Sequence, residues 1–186
     1  MKKLACTLLV LSLAACGQAV ETKTAAMTET QNSFSKEAAF ELTPEQFATA
    51  FNAAARAYGQ AFRINKVDVQ HGSAHDYFQQ TFSSGISLTA AVSKETGHVT
   101  SVTALVAEDN SQADSRSNVL AISEVVAATV NPKLSQNKST ELVTDMMKEV
   151  ASSSDTSKFP QRFVNNVRYV LRNGSGIGYW WIANPV

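Results

Sequence analysis

Residues 86–93 read Ile-Ser-Leu-Thr-Ala-Ala-Val-Ser. In an extended chain, Ile86, Leu88, Ala90 and Val92 fall on one side and Ser87, Thr89, Ala91 and Ser93 on the other, because strand side chains alternate with period two. A helix would scatter the same four apolar residues around its circumference. Lys94-Glu95-Thr96-Gly97 reads as a turn, and 98–107 as the return strand. Pairing Ser93 with His98 brings Val99 and Leu105 onto the Ile/Leu/Val side and leaves a small, polar opposite side. Such a hairpin is half-buried and antiparallel, and its apolar side demands a covering layer.

Helices supply that layer. Leu42-Thr43-Pro44-Glu45-Gln46-Phe47 is a helix start: Thr43 as N-cap, Pro44 at the first position, Gln46 closing a capping box, and Leu42 and Phe47 spaced as a hydrophobic staple. Phe47, Phe51, Ala54, Ala55 and Tyr58 share one face, and Gly59 suits a left-handed end. Two more helices are expected over 117–130, stopped by Asn131-Pro132, and over 139–151. Residues 62–70 read as a mixed strand, followed by a turn at His71-Gly72-Ser73. Residues 77–83 form another strand with Phe78 and Phe82 on one face.

The C-terminal stretch reads as a second hairpin, with strands over 162–172 and 177–183 joined by Asn173-Gly174-Ser175-Gly176. Placing Arg172 opposite Ile177 sets Tyr169 across from Trp180 and Val167 across from Ile182, with Phe163 and Leu171 on that same core side. The outer side then carries Arg168, Val170, Arg172, Ile177, Tyr179 and Trp181. Arg168 would face Trp181 at cation–π range. Arg168, Arg172, Tyr179 and Trp181 are the candidate binding face, since exposed Trp, Tyr and Arg are enriched in binding hot spots. The competing reading is that a helix or the N-terminal strand covers this side and makes Trp181 core. The fold class expected is α+β: an antiparallel sheet of about five to six strands with three helices packed mainly on one face. Three helices do not cover both faces of a wide sheet, so one face should stay open.

The chain opens Met1-Lys2-Lys3, followed by an apolar run from Leu4 to Ala15. A membrane span needs about 20 apolar residues, so this run reads as an export signal. It ends Leu13-Ala14-Ala15-Cys16, which resembles the lipobox of bacterial lipoproteins. The resemblance covers residues 1–17 and implies cleavage before Cys16, acylation of its thiol, and commonly of the new amino group. Cys6 leaves with the signal, so Cys16 would be the one cysteine of the mature chain, and lipidation accounts for it without a disulfide partner. Two or three acyl chains hold a protein to a bilayer far better than one. Gly17, where Asp commonly signals inner-membrane retention, implies the periplasm-facing leaflet of the outer membrane, or in a Gram-positive host the outer face of the cell membrane. Residues 1–15 are thus the signal peptide, 16–41 the lipidated Cys and a flexible Thr/Glu/Gln/Ser-rich tether, and 42–186 one domain. A coil of that length reaches roughly 25–30 Å.

Charge excludes some partners. The 16 Lys and Arg balance 16 Asp and Glu, and losing Lys2 and Lys3 leaves the mature chain slightly acidic. With no basic run along the chain, nucleic acid is not an expected partner.

No motif announces chemistry. His71-x₃-His75 followed by Asp76 has metal-like spacing, but Gly72 and Ser73 argue for a turn, and no third ligand is placed. These read as loop histidines. Ser33-x-x-Lys36 and Ser135-x-x-Lys138 match S-x-x-K without the partner motifs of that site. Neither a catalytic set nor a metal or other cofactor is expected. The leading functional expectation is a membrane-anchored, non-enzymatic envelope lipoprotein binding a protein or small ligand in the periplasm. The alternatives are a periplasmic inhibitor or immunity protein, and a hydrolase whose site joins distant residues such as His75 or His98 with Asp76.

Overall fold

A computed structural model describes residues 37–186 apart from 84, 109–111, 154–158 and 175. The lipobox, most of the tether and the Ser33/Lys36 pair lie outside the described residues. The elements run α1 (Pro44–Ala57), β1 (Asp76–Ser83), β2 (Ile86–Val92), β3 (Val99–Ala107), α2 (Gln112–Val130), α3 (Gln136–Ser152), β4 (Gln161–Val164), β5 (Val167–Gly174) and β6 (Gly178–Pro185). The strands form one six-stranded antiparallel sheet in the order β1-β2-β3-β6-β5-β4. It is an α+β fold with helices packed against the sheet.

α1 starts as its residues dictate. The Thr43 hydroxyl accepts from the Gln46 N–H, the Gln46 side chain accepts from the Thr43 N–H, and Gly59 ends the helix at φ 67°. Its buried stripe of Phe47, Phe51 and Ala55 meets β1, where Phe47 lies 5.8 Å from Phe78 and Phe51 stacks 5.4 Å from Phe82. α2 is the central helix, touching α1, α3, β3 and β6. Residues 122–127 of it are buried all round, as a helix between other elements must be. That places Ser123 and Glu124 inside. Thr140 of α3 donates to the Glu124 carboxylate, and Tyr58 stands beside Ser139 and Glu124. Burial, and behind it the Glu124 charge, raises the Tyr58 phenol above its ordinary value, with the neighbouring Ser139 hydroxyl pulling the other way.

Three expectations need correction. Residues 62–70 are not a strand. They run as coil, paired to the sheet edge by a single bridge between Gln70 and Tyr77. The coil is instead tied to α1: Asn52 Nδ2 donates to the Ile64 carbonyl at 2.9 Å, and the Ile64 N–H donates to Asn52 Oδ1 at 2.8 Å. Asn52→Ala should cost about 1–3 kcal/mol in urea unfolding, since one partly buried amide supplied both bonds. Second, order begins before residue 42. Phe40 is buried, and Phe40 and Leu42 exchange backbone bonds with Val99. Third, 162–172 is not one strand but β4 and β5, joined through Asn165-Asn166 at φ 50° and 64°. Asn is the residue other than glycine that best tolerates that region, and two such residues make the hairpin turn whose twist matches the flanking strands.

Two registers also differ from expectation. A bulge between Ala91 and Val92 lets Val92 face Val99 while Ile86 faces Val106. Val106 is therefore core, and Leu105 turns to the opposite face beside Ser87. In the last hairpin Gly174 pairs with Gly178, and Arg172 faces Trp180 rather than Ile177. The partner shifts by three positions, an odd number, and every β6 side chain changes face.

Candidate functional site

The sheet has one covered face and one open face. Phe78, Leu88, Ala90, Val102, Ala104, Trp181, Ala183, Tyr169 and Leu171 are all buried on the helix side. The other side carries Tyr77, Gln79 and Thr81 of β1, Ser87, Thr89 and Ala91 of β2, and Ser101, Thr103 and Leu105 of β3. It continues with Trp180, Ile182 and Asn184 of β6, Arg168, Val170 and Arg172 of β5, and Gln161 and Phe163 of β4. None of these residues is buried. The open face has two halves. β1–β3 present hydroxyls and amides; β4–β6 with Leu105 present aromatic, aliphatic and guanidinium groups.

The four expected binding residues divide accordingly. Arg168 and Arg172 do lie on the open face. Trp181 does not: it is 1 % exposed, sits across from Leu171 and Ala104, and stacks on Tyr169 with centroids 5.3 Å apart. Tyr179 also faces the helix side, opposite Val106 and Asn173, and packs against the core. Arg168 pairs in register with Asn184 and Phe163, so the expected contact with Trp181 is absent. The residue that takes the outward place is Trp180, 37 % exposed, between Arg172 and Leu105. Phe163, expected in the core, is 63 % exposed. Its signal was legible in Asn165-Asn166, a two-residue turn that reverses the chain beside it.

Arg172 is held in place: its guanidinium carbon lies 4.3 Å over the Phe159 ring. Stacking on an aromatic face leaves the N–H donors at the guanidinium edge free for an acceptor. Arg168 keeps its Nε buried, with no hydrogen-bond partner among the described residues. Neither arginine has a carboxylate partner among the described residues.

The histidines gather differently from the expected catalytic pairing. His71, not His75 or His98, meets Asp76, with Nδ1 2.9 Å from Oδ2, while Lys94 lies 3.3 Å from Oδ1. His75 faces Glu37 at 3.5 Å. The His71 side chain is 82 % exposed and that of Asp76 16 %, so the solvent reaches the pair from the imidazole side. His71, then Lys94, holds the Asp76 carboxyl below its ordinary value despite some desolvation. A depressed carboxyl stabilises the fold above its ordinary value and loses that contribution as pH falls through the folded one. A carboxyl-detected NMR titration should find Asp76 taking up its proton late on acidification, and His71→Ala should move its midpoint back up. Among the described residues no group of three or more His, Cys, Asp or Glu is placed to hold a metal ion, and no helix is long and apolar enough to cross a membrane.

A groove of about 750 Å³ runs between residues 39–42, the end of α2, the β4–β5 turn and the C-terminus. Its buried polar groups, Thr129 and Asn131, are committed, and Thr129 donates to the Val125 carbonyl at 2.7 Å. Asn131 donates to the Val164 carbonyl at 3.3 Å and accepts from Asn165 at 3.2 Å, which holds the turn. This groove is not legible in the sequence, because it is assembled from four distant segments. No family model, curated protein or solved structure matches the chain.

Proposed function

We propose that this protein is a lipid-anchored, non-enzymatic envelope protein that binds a partner through the β4–β6 half of its open sheet face. The observation that supports the reading best is segregation. Phe163, Trp180, Arg168 and Arg172 share one uncovered surface, while the opposite face of the same strands packs a core. Trp and Arg gathered around a flat apolar centre are the residue types that dominate binding energy at protein interfaces. The anchor rests on the lipobox resemblance at Cys16, and the tether after it would let the domain sample the space near the bilayer. The test is recovery of partners from solubilised membranes by full-length protein, comparing wild type with Arg172→Ala/Trp180→Ala and with Thr89→Ala on the polar half. Loss in the double variant, with Thr89→Ala behaving as wild type, supports the reading; equal recovery in all three overturns it. Mass spectrometry of the mature N-terminus tests the anchor separately: diacylglyceryl mass on Cys16 is expected, and a bare thiol removes the membrane address.

A further inference from the structure

We propose that the occupant of this face is an acidic protein segment, one that sets two carboxylates about 13 Å apart across an apolar side chain. The inference rests on the binding role just described and names the chemistry of its partner. Among the open-face side chains of all six strands there is no Asp or Glu, and the only charges are Arg168 and Arg172. Two described acids of neighbouring segments are committed elsewhere. Glu149 takes Arg162 at 2.7 Å, and Glu108 accepts the Gly176 N–H at 2.9 Å. Among the described residues, therefore, these two guanidiniums on one surface have no carboxylate partner.

Their spacing sets the partner's geometry. Arg168 and Arg172 are four residues apart on one strand, about 13 Å at roughly 3.3 Å per residue. Val170 lies between them, with Ile182 beside it in register. An extended segment with acids at i and i+4 and an apolar residue at i+2 matches this row. Each guanidinium can take a carboxylate through two parallel bonds, and the Phe159 stack has already oriented one of them. A second copy of this chain fits poorly, since face-to-face pairing would bring arginines against arginines. A bilayer also fits less well: two cations near an anionic surface contribute little, and Val170, Ile182 and Leu105 lie half-buried in the sheet rather than projecting from it.

The experiment places p-benzoylphenylalanine at Gln161, exposed on this face opposite Val170, in the full-length protein, and irradiates intact cells. The expected result is a protein adduct whose crosslinked peptide carries acidic residues. Its yield should fall about tenfold in Arg172→Gln, recover in part in Arg172→Lys, and fall in isolated envelopes moved from 50 to 500 mM salt, all at roughly the contrasts expected for a paired interfacial charge. Arg172 is exposed, so Arg172→Gln should fold, and an unchanged thermal melt checks this. The salt arm needs no variant. An adduct to lipid, to a second copy, or to a peptide without acids overturns the inference, as does a yield indifferent to Arg172 and salt. A protein adduct indifferent to Arg172 leaves the binding role standing and removes only the acidic partner. No adduct from Gln161 or from the same probe at Ile182 removes both.

Discussion

Trp181→Ala is expected to cost about 3–5 kcal/mol in denaturant unfolding, while Trp180→Ala costs no more than about 1–2 kcal/mol. The residues are neighbours of the same type, so the contrast isolates direction. Trp181 lies at the centre of the helix-side core, covered by the helical layer and stacked on Tyr169. Removing it leaves a void between β5, β6 and the helices that close-packed neighbours fill only in part. Trp180 is on the open face, where truncation removes area already partly in water. Domains of this size hold on the order of 5–15 kcal/mol in all, so the first variant loses a large share of its stability. The indole Nε1 of Trp181 is buried without a hydrogen-bond partner among the described residues. Trp181→Phe should therefore cost much less than Trp181→Ala, since it gives up volume but no bond and removes an unpaired donor. Fluorescence gives an independent check. Trp180→Ala should leave blue-shifted emission that iodide quenches poorly, and Trp181→Phe should leave red-shifted, readily quenched emission. Equal costs for the two alanine variants, or the reverse order, would place Trp181 outside and return β6 to the register with Arg172 opposite Ile177.

That pair also shows where local sequence stops carrying the answer. The α1 start was legible because each part of it, Thr43, Pro44, Gln46 and the Leu42/Phe47 staple, acts within six residues. The Ile86–Val92 alternation was legible because one strand declares its own two faces. What failed was the relation between strands. The bulge at Ala91/Val92 adds one residue to the return strand, and nothing in Thr100 or its neighbours announces it; Leu105 moves outward as a result. The four glycine-containing positions after Arg172 allow several loop lengths, and the choice between them decides whether Trp180 or Trp181 meets the core. The open face itself follows from counting helices against strands, and Arg168 and Arg172 follow from β5 alone. Its aromatic members depended on two registers set by contacts far along the chain. Residues 62–70 failed for a different reason: Phe62, Ile64 and Val67 are apolar enough for a strand, yet Asn52 takes the Ile64 backbone bonds and holds the segment on α1.

Gly178 is the residue that makes the last of these choices, and Gly178→Ala is expected to be the most damaging glycine substitution in the hairpin. Its φ is +115°, a conformation that side chains with a Cβ rarely adopt. A Cβ there would stand 2.1 Å from the Val106 carbonyl oxygen, 2.6 Å from the Glu108 nitrogen and 2.8 Å from the Ala107 carbonyl carbon. All three are backbone atoms of β3 or the residue after it, so no rotamer relieves the clash. Either β6 moves off β3 where Ala107 pairs with Gly178, or the strand slips. A slip of one residue would turn Trp181 to solvent and Trp180 into the core, adding the loss already assigned to Trp181. Gly176→Ala is the matched control. It too has positive φ, at +76°, but its Cβ would meet nothing within 4 Å. That variant bears the left-handed backbone cost alone, about 1–2 kcal/mol, whereas Gly178→Ala should exceed about 4 kcal/mol or fail to fold. Thermal melts of the two variants measure the difference, and iodide quenching reports whether a surviving Gly178→Ala fold has exposed Trp181. Comparable melting temperatures for the two would mean that the approach of β6 to β3 is looser than this packing allows, and that Gly178 does not set the register on which the open face depends.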